Sequence, residues 1–223
     1  MKYLLYGIMR QDDSPWHSPE PGLCRLSSNG LAAAASPLAG DTPEASVSAL
    51  MAYEKVVEGI HARHTIIPLR YGCAMECESA VTRLLDDHHE EYDALLGRLL
   101  GMTEMGIRVL WPARSEVVPA SPSSPGATYL ASLRNRYGSA VALAPEEAQL
   151  ADRIVSVLSG CSKDQRREVS SSNHGHMVSL YFLTPTTCAE EFRQQARLIR
   201  PPSGAKLLLS GPWPPYNFVV FSG

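Results

Sequence analysis

Histidines, cysteines and carboxylates are the residues in this chain that could do chemistry, and their spacing decides whether they do. His89-Glu90-Glu91-Tyr92-Asp93 begins like a zinc-protease helix. That chemistry needs a second histidine four residues after the first, so that both imidazoles reach one ion, and Asp93 stands there instead. On a helix the run reads as a solvated acidic face. His61 and His64 precede Cys73 and Cys77, and imidazole and thiolate are both zinc ligands. One reading is therefore a small metal-dependent enzyme using His61, His64 and Cys73. The other, which the spacing favours, is two histidines at a helix C-terminus, where the helix dipole suits them, plus two free thiols. His174-Gly175-His176 reads as a polar turn. No GxGxxG, GxxxxGK[ST], GxSxG, HExxH or CxxC occurs. The sequence assigns no catalytic residue, no cofactor site and no metal site.

The elements that must position any such residues come from an ordinary globular composition. The chain has 223 residues, 44% hydrophobic and 19% charged, with a formal net charge of −3. A core can form, and wholesale disorder is excluded. There is no basic excess for binding nucleic acid, and no run approaches the roughly 18 apolar residues of a membrane span. Five scattered cysteines make no disulfide framework, and with no cleavable leader at the start the expected location is cytoplasmic.

Prolines and glycines punctuate the pattern. Strands are predicted at Tyr3–Met9, Leu31–Ala39, Thr65–Gly72 and Gly106–Trp111. A helix is predicted to open at Asp41-Thr42-Pro43-Glu44, with Val47, Leu50, Tyr53, Val57 and Ile60 as its apolar stripe. A second helix carries Val81, Leu84, Leu85, His88, Tyr92, Leu95, Leu96 and Leu99 on one face, with Gly101 as its C-cap. Strands alternating with two helices suggest an α+β, ferredoxin-like domain over residues 1–112, an antiparallel sheet with both helices on one face. Residues 113–125 are rich in proline and serine and read as a linker. Residues 126–223 read as a smaller α+β domain with its own antiparallel sheet. It holds a helix from Gly126, another from Pro145, a hairpin of Arg167–Ser172 with His176–Leu183, a helix behind a Thr187–Glu190 capping box, and strands at Lys206–Ser210 and Asn217–Phe221.

Two segments call for a role beyond packing. Arg70, in Pro68-Leu69-Arg70-Tyr71-Gly72, follows an apolar strand and needs a partner if it is buried. In Gly211-Pro212-Trp213-Pro214-Pro215-Tyr216-Asn217-Phe218, three prolines remove amide donors and fix φ, so the segment is a stiff corner carrying aromatic rings. Trp and Tyr are the usual anchors of interfaces. Pro212 and Pro215 also spell a PxxP.

These two segments carry a resemblance. Pro68–Gly72 resembles the PLRFG strand of the gas vesicle protein F and L family, and Leu209–Val219 is similar to its C-terminal GPWPPYnFv signature. Tyr3–Ile8, Gly126–Leu130 and Gly101–Ile107 match further family segments in order along the chain. Tyr71 replaces the family's common Phe, and Cys73 stands where threonine is frequent. The resemblance implies a two-domain α+β accessory protein of gas vesicles, without catalytic activity or cofactor. Its partners would be the small hydrophobic wall protein and other accessory proteins, not a nucleic acid, a membrane or a small-molecule substrate. It would support vesicle nucleation and be retained as a minor vesicle component. The residues expected to touch a partner are Arg70, Trp213, Tyr216 and Phe218.

Overall fold

A computed structural model of the chain describes residues 1–11, 21–112, 143–172 and 175–219. The chain divides into two compact units, Met1–Glu104 with Pro212–Gly223, and Met105–Gly211. This division departs from the expected domains at 1–112 and 126–223. Residues 212–219 belong to the first unit because Tyr216 packs on its core and the segment hydrogen-bonds to its side chains. The expected linker at 113–125 and the helix from Gly126 lie outside the described residues.

The first unit is built on strands β1 (Tyr3–Arg10), β2 (Cys24–Ser28), β3 (Leu31–Pro37), β4 (Ile67–Pro68) and β5 (Ala74–Met75). The order is β2-β3-β1-β4, with β5 also on β1, and every described pairing is antiparallel. A bulge interrupts the β1–β3 register between Leu5 and Gly7.

Among the described residues, three helices flank this sheet: α1 (Val47–His61), α2 (Glu78–Asp87) and α3 (His89–Leu99). Tyr53, Val56, Val57 and Ile60 of α1 pack on Leu4, Tyr6, Met9, Ala32 and Ala34. The alternating residues Leu5 and Ile8, paired with Ala35 and Ala33, point the other way and are equally buried. On that side Arg10 meets Asp93 of α3 at 2.7 Å, and Ser28 bonds Asp86 of α2. The α+β class stands, but helices cover both faces where one was expected. The strands themselves explain this. Tyr3–Met9 and Leu31–Ala35 are continuous apolar runs, the pattern of strands buried on two sides.

The local boundaries also shift. Helix α1 starts at Val47 rather than near Asp41, because the Ser46 hydroxyl accepts the Ala49 amide at 3.1 Å and is the working cap. Val47 and Leu50, expected to be inward, are exposed. The long second helix is two, since His88 leaves helical angles (φ −114°, ψ 20°). The apolar periodicity runs through that break, so no sequence pattern marks it. Gly101 has φ +67°, the left-handed conformation expected after a helix end.

The second unit centres on β6 (Met102–Pro112), β7 (Asp164–Ser172), β8 (Gly175–Pro185) and β9 (Lys206–Trp213), in the order β7-β8-β6-β9. Strands β7 and β8 form the expected antiparallel hairpin. Asn173-His174 between them lies outside the described residues. Helices α4 (Pro145–Leu158) and α5 (Ala189–Leu198) cover the core. Leu150, Ile154, Leu158, Phe192 and Ala196 pack on Ile107, Val109, Val178, Leu180 and Phe182. The rings of Phe182 and Phe192 meet edge to face at 5.1 Å.

The Thr187–Glu190 capping box does not form. A 3₁₀ turn over Thr186–Cys188 precedes α5, and the Ala189 amide bonds the Thr186 carbonyl instead. Strand β9 runs through Pro212, and it stands at the end of the strand order, where proline is tolerated. The last expected strand, Asn217–Phe221, is replaced over its described part by a 3₁₀ turn at Tyr216–Phe218.

A candidate interaction site on the first unit

The proline-rich corner is a side-chain construction. Strand β9 ends at Trp213, and Pro214 and Pro215 beyond it carry no amide donor, so the chain after β9 cannot be held by a ladder. The first unit supplies partners instead. The Thr103 hydroxyl donates to the Trp213 carbonyl at 3.0 Å. The buried Glu104 carboxylate takes both the backbone amide of Asn217 (2.9 Å) and its side-chain Nδ2 (2.7 Å). Arg98 of α3 donates to the Phe218 carbonyl. Tyr216 Oη donates to Glu54 of α1 at 3.1 Å. Within the corner, the Tyr216 amide bonds Pro214 O and the Phe218 amide bonds Pro215 O.

The Pro68–Gly72 segment is held differently. Its backbone bonds to β1: the Leu69 amide to Tyr6 O at 3.0 Å, with the Leu5 amide returning to Cys73 O at 2.8 Å. Tyr53 Oη sits 2.8 Å from both Leu5 O and Leu69 O, so one hydroxyl proton serves two strand carbonyls. Tyr6, Tyr53 and Tyr71 form an aromatic row, stacked at 4.7 Å and edge-on at 5.1 Å. Tyr216 packs against the same core.

The electrostatics follow from this burial. Tyr53 is pushed well above the ordinary phenol value, chiefly by burial and then by charge repulsion from the Tyr216 phenolate. Tyr216 rises for the same first reason, reinforced by the Glu54 charge. Burial also raises Glu54, against the opposing hydrogen bond from Tyr216.

The four residues singled out from sequence meet different fates. Phe218 is 0% exposed, with Pro214 and Pro215 buried beside it in the chain, so it anchors the corner and presents nothing to a partner. Tyr216 is half-buried, and its hydroxyl is engaged by Glu54. Trp213 keeps 43% of its surface exposed. Arg70 is exposed, so the buried-cation reading does not hold. Pro215, being buried, is not displayed as part of a free polyproline ligand. Sequence reasoning gave Glu54, Arg98, Thr103 and Glu104 no role of their own, although the last two lie in the family-like segment Gly101–Ile107. For Glu104 there was a signal: a carboxylate set between the apolar residues Met102, Met105 and Ile107.

The imagined metal set is not assembled. Among the described residues no group of three or more His, Cys, Asp or Glu could hold an ion. Burial lowers the His61 imidazole and raises the Cys73 thiol, so the thiolate that a soft metal needs is disfavoured.

Comparison with known proteins agrees with this architecture. The model of the family described as "Gas vesicle synthesis protein GvpL/GvpF" matches residues 2–220. A curated relative, gas vesicle protein F of Dolichospermum flosaquae, is 32% identical over 71 residues. That match covers 30% of this chain and 29% of the relative's own length. Gas vesicle protein L of a Streptomyces species is 24% identical over 182 residues, 76% of this chain and 68% of that protein. The crystal structure of GvpF from Anabaena sp. PCC7120 superposes with a TM-score of 0.75 at 20% identity, covering 100% of this chain and 97% of that one, which establishes a shared fold.

The fold is that of a two-unit α+β protein. The chain belongs to the gas vesicle synthesis protein GvpL/GvpF family. Membership gives it a gas vesicle related role. Among the described residues no helix is long and apolar enough to cross a membrane.

Proposed function

We propose that this protein is a non-enzymatic assembly factor that binds the hydrophobic gas vesicle wall protein. It would support vesicle nucleation and remain as a minor component of the finished vesicle. The observation that carries the reading is Trp213, which exposes an aromatic ring on a corner pinned by Thr103, Glu104 and Arg98. A rigid aromatic loses little freedom on binding, so the contact it makes is retained as affinity. A wall subunit with a large apolar face and open strand edges aggregates unless a partner covers it. Trp213 supplies the apolar contact and exposed Arg70 the polar one, with Tyr216 holding the corner in place.

Co-expression of the wall protein with this chain tests the reading. The wall protein is expected in the soluble fraction with the natural chain, and in reduced amount with Trp213→Ala. A wall protein equally insoluble with and without the chain overturns it.

A further inference from the structure

We draw no further inference here: the strongest candidate, the apolar surface patch around exposed Leu208 on strand β9 at the end of the second sheet, carries nothing because nothing in the structure shows what covers it.

Discussion

The two segments Pro68–Gly72 and Pro212–Phe218 both carry proline and tyrosine and are held by different means. The first uses its backbone: amides and carbonyls around Leu69 and Cys73 bond to β1, and Arg70 is left at the surface. The second leaves strand β9 at Trp213 and has lost three backbone donors to proline, so beyond the strand side chains from α1, α3 and β6 hold it. A strand-like segment can thus change a surface side chain at little cost. A donor-poor corner depends on each of its few side-chain partners. This difference explains why Phe218 and Asn217 are structural and Arg70 is not.

That contrast can be broken or sharpened by substitution. Phe218→Ala removes a fully buried ring and should cost about 3–5 kcal/mol in chemical denaturation. A loss below about 1 kcal/mol would mean that the corner is not part of the folded core. Asn217→Ala withdraws the side-chain Nδ2 donor from the buried Glu104 carboxylate, with an expected cost of about 1–3 kcal/mol. The exchange protection of the Asn217 amide should fall with it.

Glu54 gives a pH test of the same corner. Its pKa is raised in the folded state, so the folded protein holds this proton more tightly than the unfolded chain. The stability tied to that proton is complete below the ordinary glutamate value and is lost as pH rises through the raised one. Glu54→Gln keeps an acceptor for Tyr216 without the charge. Its stability relative to the natural chain should therefore rise across that window, and a flat difference would place Glu54 in water. The smallest effect is expected from Arg70→Ala, within about 0.5 kcal/mol, because the segment is held by backbone. A larger loss would mean that its side chain holds the turn.

Much of the architecture was readable from residue order. Tyr53, Val57 and Ile60 marked the buried face of α1, and Val178, Leu180 and Phe182 that of β8. The continuous apolar runs at Tyr3–Met9 and Leu31–Ala35 also held the information that both sheet faces are covered, though strand–helix alternation suggested one. Other features left no local trace. The break at His88 interrupts an unbroken apolar stripe. Ser46 outcompetes an equally good capping sequence at Asp41–Glu44. Strand β2, with Ser27 and Ser28, lacks a strong strand composition.

The candidate site was half legible. Sequence alone determined that residues 211–218 are stiff and aromatic, because proline fixes φ and removes donors wherever it stands. It also determined that no familiar catalytic motif is present, because such chemistry needs particular residues at particular spacings. Tertiary structure decided which rings face water. Trp213 and Phe218 are five residues apart with similar hydrophobicity, yet one is exposed and the other sealed. The reason is that Glu104, Arg98, Thr103 and Glu54, distant in sequence, fix the direction of the corner, and only folding brings them to it.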